Sequence, residues 1–237
     1  MKQIFGKSPT AAGQQSGEHW MSVSDLMAGL MMVFMFISIS LMRDAMLERD
    51  KIKEVAVTYQ EKQQALYQAL VEEFDEDLKA WGAEIDNETL SFNFTAPEVL
   101  FANGEARLTK KFQFILDDFF PRYLGVLNGF KDSIESVRLE GHTSSMWNLN
   151  STDSEAYFNN MALSQNRTRR VLHYVMAQNT TRTDYYDWVK AHVAAVGYSS
   201  SKLVYKENGI EDQERSRRVS FRVVTNAETQ IRTILER

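Results

Sequence analysis

A continuous run of apolar side chains dominates the N-terminal part of the sequence, at residues 20–42. Asp25 is the only charged residue within it. As an α-helix the run would extend roughly 34 Å at about 1.5 Å per residue, which is enough to cross a hydrocarbon core of about 30 Å. A cleaved signal peptide has a shorter apolar core, followed by small residues. The pattern therefore predicts one transmembrane helix at 20–42, preceded by a short tail at 1–19.

Residues 43–83 form a segment, here called the connector, in which apolar side chains recur at spacings of three, four and seven positions. This period predicts an amphipathic helix. Ile52, Tyr59 and Leu66 fit the seven-residue repeat of a two-stranded coiled coil, although Lys62 interrupts the companion stripe. A helix packed on its own domain fits equally well.

From residue 84 to 237 the pattern alternates between strand and helix periods. Leu90, Phe92 and Phe94 alternate as in a strand, and the same holds for Val219, Phe221 and Val223 near the end. Helical patterns follow Gly104 and Asn160, the second with Leu163, Val171, Leu172, Val175 and Met176 expected to point inward. Two short strands are predicted, one ending at Gly141 and one at about 192–200. The order β-α-β-α-β-β predicts an α+β domain, a mixed sheet with helices on one face.

Composition removes several classes of function. The net charge of −5 argues against direct nucleic-acid binding, because such proteins usually present a basic face. Cysteine is absent, which excludes disulfides, thiol catalysis and cysteine-ligated metals. The four histidines (His19, His142, His173 and His192) show no ligand spacing. With no nucleophile motif or phosphate-binding loop, we expect no catalytic residue, metal or cofactor, and no enzyme.

Asp25 has two interpretations. A carboxylate at the centre of a membrane helix costs roughly 2.5–3.5 kcal/mol, but Asp25 falls near the start of the run, where it could lie among lipid headgroups and help Ser24 cap the helix. Alternatively, it faces a protein interior and carries ions, the default role of an intramembrane carboxylate. Basic residues flank both ends of the run, and those after it alternate with acidic ones, so charge counting does not fix the orientation.

The stretch "VSDLMAGLMMVFMFIS" resembles the membrane segment of MotB-type stator proteins. In that family, an aspartate followed by an apolar helix rich in methionine and phenylalanine carries the ions of the motor. The resemblance implies that Asp25 is the ion-carrying residue.

Four further stretches resemble the OmpA-like peptidoglycan-binding domain, in the order of that family: "GHTSS", "NMALSQNRT", "AVGYSS" and "RSRRVSF". The family binds the diaminopimelate-containing stem peptide of peptidoglycan. By motif match, Arg167 takes the place of the arginine that grips the ligand carboxylate. Asn160 and Leu163 take places that line the same groove, and His142 and Ser144 lie in the first motif.

Ser144 departs from the family pattern, because an aspartate normally stands there and faces the ammonium group of the ligand. Asp153 or Glu155, in the loop after this motif, could supply the missing charge. Otherwise the contact with the cell wall is weakened or lost. His142 is interpreted as a structural histidine more readily than as a catalyst.

Together these features resemble a stator subunit, with the greatest similarity to those of the Zorya anti-phage defence system. The resemblance implies a homodimer inside a ring of MotA-like or ZorA-like membrane subunits. The N-terminus would be cytoplasmic, the helix would lie among the lipids of the bacterial inner membrane, and the C-terminal domain would hold peptidoglycan in the periplasm. Ions, H⁺ or Na⁺, would drive the complex. The alternative is a static tether that needs Arg167 but not Asp25.

Overall fold

The computed structural model describes residues 15–95, 97–102 and 104–226. Most of the predicted cytoplasmic tail, residues 1–14, lies outside the described residues, as does the end of the predicted C-terminal domain, residues 227–237. The chain divides into two compact units, Met1–Glu54 and Val55–Arg237. The sequence pattern had placed the end of the connector later, at residue 83.

Helices and strands follow one another in a mixed order. The helices are α1 (Gln15–Trp81), α2 (Pro97–Leu100), α3 (Lys110–Asn128), α4 (Asp153–Ala177), α5 (Tyr186–His192) and α6 (Gln213–Ser216). The strands are β1 (Ala83–Asp86), β2 (Ser91–Phe94), β3 (Ile134–His142), β4 (Val193–Ser199) and β5 (Val219–Thr225). A 3₁₀ turn at Lys131–Ser133 precedes β3, and a π-helical turn at Thr181–Tyr185 precedes α5.

In the first unit, the described residues belong to α1. Within the described chain this is the one helix that is long and apolar enough to cross a membrane, and none of its apolar window is buried. Asp25 lies within that stretch, and the side chains on both sides of it are exposed. Such an uncovered apolar surface needs lipid or other protein around it.

The second unit is built on a five-stranded sheet in the order β1-β2-β5-β3-β4. Neighbouring strands are antiparallel, except that β3 and β4 are parallel. The sequence analysis does not predict β1, because Ala83–Asp86 is only four residues long and its alternation rests on two apolar residues, Ala83 and Ile85. The predicted mixed sheet is otherwise present, with α3 packed on its apolar face.

Aromatic side chains fill the core between the sheet and the helices. Phe119 of α3 lies within 5.2 Å, ring centre to ring centre, of Phe92, Phe94 and Phe221. Each large apolar side chain that is fully buried contributes about 1.5–3 kcal/mol. This cluster therefore provides much of the stability of the second unit.

The distal part of the connector belongs to this core. Leu66, Leu70 and Phe74 are each at most 2% exposed. Arg122 of α3 binds this part of α1 at its surface. Its Nε lies 2.7 Å from the carboxylate of Glu73 and its Nη1 2.9 Å from that of Asp77, and its guanidinium group lies over the ring of Phe74. Of the two interpretations of the connector, the helix packed on its own domain describes this part.

The first half of α4 is oriented differently from the sequence expectation. Its buried side chains are small or polar, Ala156, Asn160, Ser164 and Thr168, whereas Leu163 is only half-buried. The expectation that Leu163 points into the core is therefore wrong. Val171 and Val175, farther along the helix, are buried as predicted.

Candidate functional site

Two glycines allow α4 to lie directly against the sheet. Gly141 of β3 and Gly197 of β4 are neighbours in the parallel ladder. A Cβ on Gly141 would lie 2.7 Å from the carbonyl oxygen of Ser164, and a Cβ on Gly197 would lie 2.5 Å from the backbone nitrogen of Gln165. The glycines of the "GHTSS" and "AVGYSS" motifs thus set the distance between helix and sheet. Arg167, less than one turn beyond Ser164, reaches the end of β3 for this reason.

Arg167 carries a half-buried guanidinium group. Its Nε donates a hydrogen bond to the carbonyl oxygen of Glu105 at 3.0 Å, and its central carbon lies 4.7 Å from the ring centre of Phe101. Among the described residues, no carboxylate lies within salt-bridge distance of it. Burial, together with repulsion from Arg217, lowers the pKa of Arg167 to about 10. The group therefore stays charged at neutral pH without a neutralising partner.

A small groove runs past Arg167. It is lined by Leu100, Phe101, Gly141, His142, Arg167, Arg217, Arg218 and Val219. Three of these side chains are arginines, and the Nε of Arg217 is buried without a hydrogen-bond partner. An arrangement of this kind suits an anion, because guanidinium groups bind carboxylates through paired hydrogen bonds.

Asn160 does not line the groove at Arg167 but contacts the loop after β3. Its side-chain amide is buried and donates to the carbonyl oxygens of Ser144, at 3.1 Å, and Met146, at 3.3 Å. These two bonds use both hydrogens of the amide and fix the loop after β3. Ser144 is itself only 6% exposed, while half-buried Leu163 lies one turn before Arg167 on α4.

A carboxylate that the sequence did not indicate reaches the first motif. Glu211 accepts a hydrogen bond from the backbone nitrogen of Ser145 at 3.0 Å through Oε1, and one from the hydroxyl group of Ser145 through Oε2. The two residues are 66 positions apart, so no local pattern links them. An acidic side chain therefore lies next to the position where the family carries its aspartate.

Glu155, one of the two acidic residues that could replace the missing aspartate, caps the N-terminus of α4 instead. It lies in the first turn of α4, where Thr152 and Glu155 form a capping box. Its Oε2 accepts from the backbone nitrogen of Thr152 at 2.9 Å, and these hydrogen bonds lower its pKa. Asp153 is exposed at the start of the same helix.

His142 is buried beside the groove. Its ring stacks on Tyr198 at 5.3 Å with an interplanar angle of 3°, and its Nε2 lies 3.3 Å from Oε2 of Glu140. Burial lowers the pKa of His142 more than the neighbouring Glu140 raises it. The residue is therefore a neutral, packed histidine at neutral pH.

Comparisons with known proteins agree with these motifs. The model of the OmpA family matches residues 100–217, which confirms the predicted OmpA-like domain. A curated relative, the Zorya protein ZorB of Escherichia coli, is 54% identical over 236 residues, covering 100% of both chains.

Two solved structures are similar in part. The cell wall anchor of the T6SS from Pseudomonas aeruginosa gives a TM-score of 0.43 at 21% identity, covering 66% of this chain and 96% of that one. A MotB-like protein from Desulfovibrio vulgaris gives 0.48 at 20% identity, covering 70% and 93%. The identity to the curated relative, held over the full length of both chains, decides the family: this chain belongs to the ZorB family of Zorya proteins.

Proposed function

We propose that this chain is a stator subunit that ties an ion-driven complex of the bacterial inner membrane to peptidoglycan and serves in defence against phages. Its N-terminus lies in the cytoplasm, and its C-terminal domain lies in the periplasm, where peptidoglycan is found. The full-length identity to a Zorya protein supports the role in defence. The apolar part of α1 supports the membrane location.

One observation carries the wall-binding part of this proposal: Arg167 is half-buried, charged and without a carboxylate partner among the described residues. An isolated buried charge is costly, so a site that keeps one is suited to a ligand of opposite charge. The stem peptide of peptidoglycan offers carboxylates of the right kind. Arg167 would bind one of them, with Arg217 strengthening the positive potential of the groove.

The test is binding of the full chain, in mild detergent, to purified peptidoglycan sacculi. Arg167→Ala removes a charge-assisted contact that is typically worth about 1.5–3 kcal/mol, so binding should weaken by about ten-fold or more. Arg169→Ala is the matched control. It removes an exposed arginine from the same helix and should leave binding unchanged.

Equal binding by wild type and Arg167→Ala would overturn the proposed wall contact. A melting temperature measured on both variants separates loss of binding from loss of fold. If the wild-type chain does not sediment with sacculi at all, the domain has the OmpA-like fold without the anchoring role.

The ion-driven part rests on Asp25. Its carboxylate lies in the exposed apolar stretch of α1, where contact with lipid alone would be expensive. A second copy of the chain and surrounding membrane subunits would enclose it in protein. Ion binding and release at Asp25 would then change its attraction to the surrounding ring, and each charge that crosses the membrane supplies roughly 2.3 kcal/mol per 100 mV.

Asp25→Asn tests this role, because the amide has the size of the carboxylate but cannot exchange a proton or bind a cation through charge. We expect complete loss of phage protection with normal membrane insertion, and partial protection by Asp25→Glu. Asp44→Asn, an aspartate of the same helix beyond the apolar run, is the control and should protect normally. Full protection by Asp25→Asn would replace the motor with a static tether.

A further inference from the structure

A second cavity lies on the face of the sheet opposite the aromatic core. Along β2, β3 and β5 every other side chain points to this face, and most of those residues are polar, among them Asn93, Glu140, Ser220 and Arg222. Asn93, Ser220 and Glu140 are cross-strand neighbours, so they form one continuous polar row. The cavity above them has a volume of about 430 Å³, within the range of roughly 300–1,000 Å³ that is usual for small-molecule sites.

Two side chains in the floor of this cavity are almost fully buried, and each has a polar atom without a hydrogen-bond partner among the described residues. Glu140 is 5% exposed, and its Oε1 accepts no hydrogen bond from the described residues. Nδ1 of His142, which is 4% exposed, has no hydrogen-bond partner there either, and its Nε2 has only Oε2 of Glu140 near it, at 3.3 Å. A buried carboxylate oxygen without a donor is unfavourable. The floor of the cavity is therefore incomplete without a bound polar group.

Charges of both signs surround the floor. Glu84 and Asp86 come from the edge strand β1, whereas Lys202, Arg215 and Arg218 come from the segment between β4 and β5. Several of these charges are already used. Glu84 pairs with Arg215 at 3.1 Å, and Asp86 accepts from the backbone of Glu88 and Thr89 at 2.9 Å. Arg218 donates to the carbonyl oxygens of Lys202, at 3.3 Å, and of Arg215 and Ser216, at 3.4 Å.

The charges that remain are one acid and two bases. Glu140 has only Arg222 near its free oxygen, at 4.0 Å and without a hydrogen bond. Lys202 has no ion pair with a described residue. A simple anion would leave Glu140 without a donor, and a simple cation would face the unpaired bases. A neutral polyol would leave all three charges uncompensated.

We propose that this cavity binds a small zwitterion of the amino-acid or short-peptide class. Its ammonium group donates to Glu140, and its carboxylate lies against Arg222 and Lys202. The cavity is separate from the peptidoglycan groove, because Arg167 does not line it. The two share His142 and Arg218 as a common wall.

Equilibrium dialysis of the full chain in detergent against radiolabelled alanyl-alanine tests the proposal. Two blocked probes serve as matched ligands: the N-acetyl dipeptide, which lacks the ammonium, and the dipeptide amide, which lacks the carboxylate. We expect the zwitterion to bind at least ten-fold more tightly than either blocked form. Glu140→Gln should abolish the preference over the N-acetyl form only, and Arg222→Gln the preference over the amide form only.

Arg167→Ala, which alters the other groove, should leave dipeptide binding unchanged, so this test is independent of the proposed wall contact. The proposal is overturned if the wild-type chain binds no dipeptide up to about 10 mM, or if the blocked probes bind equally well. It is also overturned if Arg167→Ala removes the binding, since the dipeptide would then occupy the peptidoglycan groove. Melting temperatures of both cavity variants show that they are folded.

Discussion

Ser144 stands where the OmpA-like motif carries an aspartate, and the structure brings the carboxylate of Glu211 to the next residue, Ser145. Neither Asp153 nor Glu155 is needed for this, and Glu155 is engaged in the cap of α4. Glu211 is therefore the candidate for the acidic side of the ligand site. Glu211 does not line the groove at Arg167. Together, the two residues would offer both charges that a diaminopimelate-containing peptide requires.

Replacing Glu211 with glutamine should weaken binding to sacculi several-fold. The amide keeps the size of the side chain but loses the charge that would face the ligand ammonium, and charge-assisted hydrogen bonds are the stronger ones. Adding Ser144→Asp to this variant should restore part of the binding, because it returns the carboxylate to the family position. Glu207→Gln, an exposed residue of the same segment, is the control. Binding of Glu211→Gln at the wild-type level would show that Glu211 only holds the loop.

At the level of elements, the contact of α4 with β3 and β4 determines where the site residues lie. The helix has small side chains, Ser164 and Thr168, on the surface that faces the sheet. The strands have glycines at the facing positions, Gly141 and Gly197. Ser164 also accepts a hydrogen bond from the backbone nitrogen of Ser199 through its hydroxyl oxygen at 3.1 Å. These contacts therefore hold α4 directly against the ends of β3 and β4.

Gly197→Ala should destabilise the second unit by about 1–3 kcal/mol, the usual cost of overpacking. The added methyl group would lie 2.5 Å from the backbone nitrogen of Gln165, and backbone cannot move aside cheaply. Gly125→Ala is the matched control. Its Cβ would meet nothing within 4 Å, and in the interior of α3 alanine should stabilise by about 0.5–1 kcal/mol. Urea unfolding of the full chain, followed by circular dichroism, measures both changes, and equal stability of Gly197→Ala and wild type would contradict the close packing.

At the level of the whole molecule, the exposed stretch of α1 is what the proposed assembly has to cover. The exposed apolar side chains include Leu26, Met31, Phe36 and Leu41, each more than 60% accessible, and Asp25 lies among them. Lipid can cover the apolar residues, but a carboxylate at this depth favours a protein neighbour. Methionine and phenylalanine side chains adapt readily to such neighbours.

We therefore expect the protein to purify from membranes as a homodimer bound to a larger membrane partner when a ZorA-like membrane subunit is co-expressed. Size-exclusion chromatography with light scattering in mild detergent gives the mass of the complex. Asp25→Asn should still assemble, because the amide has the same shape. A stable, monodisperse monomer that needs no partner would contradict this expectation.

Several properties follow from the sequence alone, because they depend on local pattern or on short motifs. The length of the apolar run at residues 20–42 is sufficient to predict a membrane helix, and the alternation of Phe92 with Phe94 and of Val219 with Phe221 is sufficient to predict strands. The four OmpA-like motifs identified the domain, and both this assignment and the resemblance to Zorya stators are confirmed. The role of Arg167 was also proposed from its motif, and it stays a prediction until binding is measured.

Tertiary structure decided what depends on residues far apart in the chain. The burial of Leu66 and Phe74 shows that the distal part of the connector packs on its own domain, whereas a helical period does not reveal which surface will cover it. The helical pattern predicts that Leu163 points inward, but the buried face of α4 carries small and polar residues instead. The close approach of this helix to two glycines of the sheet leaves no room for leucine there. The sequence also does not predict the contact of Glu211 with Ser145 or the polar row formed by Asn93, Ser220 and Glu140. Loop folding produces the first and strand pairing the second, and no spacing along the sequence encodes either proximity.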